Sequence, residues 1–176
     1  MSELSKHESL RQRELAFGKL IGKGLFHCTP LRNLERILET GSIQPNLGQF
    51  PPEQPLSRIS RCRRLGGISL FDLSLDAHGG FFYVWLEKTH LAIKLDRRRV
   101  KQNLLDPVLK RSVGGLVLRA EICCLAPIPI SCFAGYLLVS RRGRPRFSYL
   151  KEPTDFKTIS AEARKLEKQP PNELEQ

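Results

Sequence analysis

No Cys-x-x-Cys pair occurs in these 176 residues, and the five cysteines, Cys28, Cys62, Cys123, Cys124 and Cys132, are odd in number. A disulfide framework and a zinc site are therefore both without support. His78 and His90 stand singly, with neither ligand spacing to each other nor an acidic cluster nearby, so no metal is expected. Nowhere are there about 18 consecutive apolar residues, which removes a membrane-spanning helix. The polar stretch from Met1 to Arg13 lacks the apolar run of a signal peptide. A reducing cytoplasm is the expected location, with no membrane partner. There is no internal repeat.

Acid is also scarce. Eighteen Asp+Glu face 29 Lys+Arg, leaving a net charge of +11 and a pI near 9.8. Such a field draws polyanions, so nucleic acid and an acidic, neutralising protein are the partner classes to expect. The apolar share is 40% and the charged share 27%, ordinary values for a chain that folds.

The length suits one domain. Residues 1–23 read as a helical appendage, residues 24–150 as the domain, and residues 151–176 as a charged, partly disordered tail with a short helix over Ser160–Lys168. Gly24 to Cys28 reads as a strand. Thr29-Pro30 then reads as a hydroxyl N-cap with proline in the first helical position. Leu31, Leu34, Ile37 and Leu38 share one helical face, and Gly41 stands where a left-handed cap needs glycine.

Beyond this the proline-rich segment Gln44–Arg64 reads as a long loop. Strands are expected at Ile68–Phe71, Leu91–Asp96, Gly115–Leu118, Ala120–Leu125, Pro127–Ile130 and Gly135–Val139, and a basic helix over Arg97–Leu105 with Val100 and Leu104 inward. The run Phe81–Leu86 is a buried strand or a helix start, which periodicity alone does not decide. Cys123 and Cys124 alternate across a strand and read as small core residues.

The opening Leu25-Phe26-His27-Cys28-Thr29-Pro30-Leu31, with Asn33-Leu34, Ile37-Leu38, Gly41 and Ile43-Gln44-Pro45, resembles that of the ADP-ribosyltransferase-like superfamily. The resemblance implies an α+β fold, a split antiparallel sheet with a helix after the first strand, and NAD as substrate. It implies that His27 holds the nicotinamide ribose. The second position of the family's His–Tyr/Ser–Glu pattern falls on Ser69, 42 residues on, and the third on Glu121, 52 residues further.

Cleavage of the nicotinamide glycosidic bond builds positive charge on the ribose, and a carboxylate beside its 2′-hydroxyl stabilises that charge. Position 119, two residues before Glu121, holds Arg119, which departs from arginine-modifying members. The resemblance makes His27, Thr29, Ser69 and Arg32 the expected NAD contacts; no glycine-rich phosphate loop is present, so the pyrophosphate is expected to meet arginine, either Arg32 or the Arg58–Arg64 loop.

Three arginine groups stand out: Arg58, Arg61, Arg63 and Arg64; Arg97-Arg98-Arg99; and Arg141, Arg142, Arg144 and Arg146 with Phe147 and Tyr149 beside them. The first and last are expected to contact a nucleic acid acceptor, the last joining charge to stackable rings. The resemblance implies transfer of ADP-ribose to nucleic acid or protein, in a toxin or phage-defence setting. The alternatives are an RNA 2′-phosphotransferase of the same superfamily and a non-catalytic RNA- or DNA-binding module. The binding module requires only that the arginines share a face.

Overall fold

Strand β1 (Leu25–Cys28) leads into helix α1 (Leu31–Thr40) and the short strand β2 (Ser42–Ile43). The structure is a computed structural model that describes residues 23–47, 62, 65–74, 86, 89–100, 121–140, 146–151 and 155–168. After β2 come β3 (Ile68–Asp72), β4 (Leu91–Leu95), helix α2 (Arg97–Val100), β5 (Glu121–Cys124) and β6 (Ile128–Pro129). A 3₁₀ turn (Ile130–Cys132), β7 (Phe133–Val139), β8 (Phe147–Lys151) and α3 (Phe156–Lys168) complete the described chain. The fold is mixed α+β around a mostly antiparallel sheet core, with three helices given ranges among the described residues.

Six strands form one sheet in the order β5-β3-β1-β4-β7-β8, every neighbouring pair antiparallel. Strands β2 and β6 make a separate pair. The ladders are unequal: β4 faces β1 along the whole of Leu25–Cys28, whereas β3 faces β1 only at Leu25↔Asp72 and Phe26↔Phe71. The sheet is thus narrowest between β1 and β3. The two strands on one side and the four on the other share two residue pairs.

Side chains alternate across the sheet, so each face has its own core. Leu25, Leu70 and Ile93 pack with Leu34 and Ile37 of α1 and with Ile159 and Leu166 of α3. Phe26, Phe71, Ala92 and Leu137 pack on the opposite face. Each fully buried Leu or Ile contributes about 1.5–3 kcal/mol relative to exposure.

Helix α1 ends as its glycine requires. Gly41 has φ 71°, in the left-handed region, and its N–H reaches the carbonyls of Ile37 and Leu38. Its start differs from the sequence expectation. Pro30 occupies the N-cap, with no side-chain cap bond, and the helix begins at Leu31. Thr29 belongs to the sheet instead: its N–H donates to the Leu91 carbonyl at 3.1 Å.

Two further segments depart from expectation. Residues Phe156–Lys168 form a longer helix than Ser160–Lys168, and Ile159 is 0% exposed in the core rather than part of a loose tail. Asp155 opens that helix by accepting the Thr158 N–H at 2.9 Å and the Thr158 hydroxyl at 2.7 Å. Phe147–Lys151, beside the last arginine group, forms edge strand β8 against β7. The expected N-terminal helix, most of the Gln44–Arg64 loop, the run Phe81–Trp85, His78 and the strand at Gly115–Leu118 lie outside the described residues.

Candidate active site

Ser69 is the residue through which the candidate site is joined. It sits on β3 directly opposite Cys123 of β5, while Phe71 faces Glu121. Ser69 and Glu121 are therefore diagonal neighbours on one face, a separation that a long side chain spans. The Ser69 hydroxyl donates to Glu121 Oε1 at 2.7 Å. An ionised carboxylate only accepts, so this bond fixes its orientation.

The backbone carbonyl of the same serine faces β1. Just past the last pair, Phe26↔Phe71, the ladder gives way, and His27 Nδ1 lies 3.0 Å from the Ser69 oxygen. A carbonyl has no proton, so Nδ1–H is the donor and Nε2 of the neutral ring carries the lone pair. Burial lowers the His27 pKa below its ordinary 6.5, and the bond to Ser69 opposes that shift. The ring follows Leu25 toward the helical face, whereas Ser69 and Glu121 share the other. Ser69 is the link between the faces, its backbone oxygen receiving the ring and its hydroxyl holding the carboxylate. All three side chains are half-buried, so the group is neither sealed in the core nor fully exposed.

Thr29 and Arg32 are not placed alike. Thr29 is 4% exposed, and its hydroxyl accepts from the Asn33 side-chain amide at 3.2 Å, a bond that ties the first turn of α1 to the end of β1. Arg32 is exposed on that same first turn, four residues beyond Cys28.

Of the expected acceptor-contacting arginines, Arg146 is half-buried at the entrance to β8, its N–H donating to Ser140 Oγ at 3.0 Å. Arg58, Arg61, Arg63, Arg64, Arg141, Arg142 and Arg144 lie outside the described residues. The middle group has internal work. Arg97 pairs with Asp72, which is 0% exposed, and Arg99 pairs with Asp96 at 3.3 Å. A buried carboxylate needs such a partner, which no local signal announced.

The cysteines hold the largest departure from the sequence reading. Cys62 and Cys123 form a disulfide, with Cα atoms 5.1 Å apart and 61 residues of chain between them. Counting cysteines and searching for short spacings does not find a pair that is 61 residues apart and meets only in the folded chain. Cys124 points the other way, into the helical core, as alternation requires. The thiols of Cys28, Cys124 and Cys132 are all raised above the ordinary thiol value, mainly by burial. None of these three is an activated nucleophile.

The arrangement suits binding and charge stabilisation: a neutral imidazole acceptor, an oriented carboxylate and a hydroxyl that holds it. Comparison with protein-family models, with curated proteins and with solved structures found no match for this chain.

Proposed function

We propose that the chain is a glycosyl-transferring enzyme that moves ADP-ribose from NAD to a macromolecular acceptor, nucleic acid or protein. The observation that carries this reading is Ser69 standing between His27 and Glu121, its carbonyl on the ring and its hydroxyl on the carboxylate. Ser69 thereby links residues spread over 94 positions of sequence, and these two contacts support a His–Ser–Glu reading. The near-division of the sheet between β1 and β3 supports the split-sheet arrangement of the ADP-ribosyltransferase type.

In this reading Nε2 of His27 accepts a ribose hydroxyl and orients the sugar, a contribution that is largely entropic. Glu121 faces the positive charge that develops on the ribose as nicotinamide leaves. Ser69 holds that carboxylate in place, so reorganisation during the reaction is small. Arg32, exposed on the first turn of α1, is a candidate to meet the pyrophosphate. The net charge of +11 favours a polyanionic acceptor.

The test is incubation of the purified protein with NAD labelled on its adenylate and a mixture of cellular RNA, DNA and protein, beside Glu121→Ala. Label transferred by the wild type alone establishes the reaction, and the fraction that carries it identifies the acceptor. No transfer, with salt-sensitive nucleic acid binding that Glu121→Ala retains, replaces the enzyme by a basic binding module.

A further inference from the structure

We propose that the Cys62–Cys123 disulfide is a positioning clamp for the strand that bears Glu121, and that thiol–disulfide exchange at this pair switches the site on and off. Its activity readout rests on the function proposed above. The structural part stands by itself.

Strand β5 has four residues and, among the described strands, lies at the edge of the sheet with β3 as its partner. A short edge strand held by one ladder is weakly constrained in register. Register matters here more than elsewhere in the sheet. A slip of one residue turns Glu121 to the opposite face, and a slip of two carries it about 7 Å along the strand, out of reach of Ser69.

The disulfide supplies the second constraint at the position where it has most effect. Cys123 stands directly opposite Ser69 and two residues from Glu121, on the face that both share. Cys62 approaches from outside the ladder, with the Cα separation of 5.1 Å that a bridge accepts.

The surroundings are shaped to admit it. The Gly67 N–H donates to the Cys62 carbonyl at 2.9 Å, anchoring that residue to the entrance of β3. A Cβ on Gly67 would collide with Cys123 Sγ and lie 3.0 Å from the Cys124 carbonyl, so glycine there leaves the space that the sulfur fills. Cys62 is 1% and Cys123 9% exposed. Exchange at such buried sulfurs requires the edge to open, which couples the chemistry to the motion of β5.

The reaction balances with a small-molecule disulfide such as oxidised glutathione. One protein thiolate attacks it and releases a small thiol; the second protein thiolate attacks the resulting mixed disulfide and releases another. Two protein thiols are oxidised and one small disulfide is reduced to two thiols. Excess dithiol reverses the exchange.

The experiment uses the full chain equilibrated with oxidised glutathione or with excess dithiothreitol, beside the double variant Cys62→Ser/Cys123→Ser. Peptide mapping without reductant reads the bridge, hydrogen exchange reads the strand, and NAD turnover reads the site. We expect a cross-linked peptide containing Cys62 and Cys123 in the oxidised protein. Amides of Glu121–Cys124 should exchange at least tenfold more slowly in that form, with β7 unchanged. Turnover should fall about tenfold or more on reduction, in kcat rather than KM, since misplacing a catalytic group by about 1 Å is that costly. The double variant should match the reduced wild type and ignore dithiothreitol.

Absence of the cross-link, or equal exchange of β5 in the two states, overturns the clamp whatever the activity. Equal turnover in both states, with Glu121→Ala inactive, overturns the switch and leaves the enzyme standing. Slowed exchange with no NAD turnover in either state sustains the clamp and removes the proposed function.

Discussion

Burial lowers the pKa of the His27 imidazole, and the Ser69 carbonyl only partly offsets this. The consequence for stability follows from linkage. Between the folded value and the ordinary 6.5, the unfolded chain binds a proton that the folded chain does not, so stability rises with pH across that window. It is fully present above 6.5 and is lost as the pH falls below. Urea unfolding from pH 7.5 down to 5 should show this decline in the wild type and a flatter profile in His27→Gln. Under the proposed function, turnover should persist through pH 6.5 for the same reason, its acid limb lying lower.

Ser69→Ala tests the other half of the junction. It removes one hydroxyl bond to a half-buried carboxylate, worth about 1 kcal/mol of stability, yet leaves the backbone oxygen that receives His27. Under the proposed function, NAD turnover is expected to fall on the order of tenfold because the carboxylate loses its orientation. Steady-state kinetics beside denaturant midpoints separates the two effects; equal turnover in variant and wild type would show that Ser69 does not hold the carboxylate for catalysis.

Among the elements, α1 carries the strongest local information. Its buried stripe and its glycine stop are both short-range features, which is why both were legible in sequence. Gly41 has φ 71° and nothing within 4 Å of a built Cβ, so the cost of Gly41→Ala is conformational alone. About 1 kcal/mol is expected from denaturant unfolding, with Gly41→Asn recovering part of it.

Gly135 differs: its φ is 155°, and a Cβ there would meet the Leu150 carbonyl at 2.7 Å and Tyr149 Oη at 2.5 Å. Gly135→Ala should therefore strip β8 from β7, seen as loss of amide protection over Phe147–Lys151. The helix start was misread because Thr29-Pro30 satisfies the sequence pattern of a cap, while the competing bond from the Thr29 N–H to Leu91 lies 62 residues away. Strand β8 was missed because the arginines before it dominate the local composition. Helix α3 was shortened because its buried positions, Ile159 and Leu166, are widely spaced among charged residues.

Over the whole molecule, the strand order β5-β3-β1-β4-β7-β8 puts β1 and β4 at the centre and leaves the Glu121 strand at a margin. Truncation in the centre should cost most. Ile93→Ala, at a residue 0% exposed between β1 and β7, is expected to destabilise the fold by about 2–5 kcal/mol. Leu150→Ala on half-buried β8 should cost less. Denaturant midpoints compare the two directly, and a larger loss at Leu150 would contradict the centre-to-edge ranking.

The sequence by itself determined β1, the body and stop of α1, the strands begun at Ile68, Leu91, Ala120 and Gly135, and the basic charge. Periodicity, capping and composition act over a few residues and are written locally. Only the tertiary structure decided that Ser69 touches both His27 and Glu121, that Cys62 reaches Cys123, and that Arg97 answers a buried Asp72. Those contacts span 25 to 61 residues. They depend on which strands become neighbours and in what register, and register is set by burying both faces of the sheet at once rather than by any single segment.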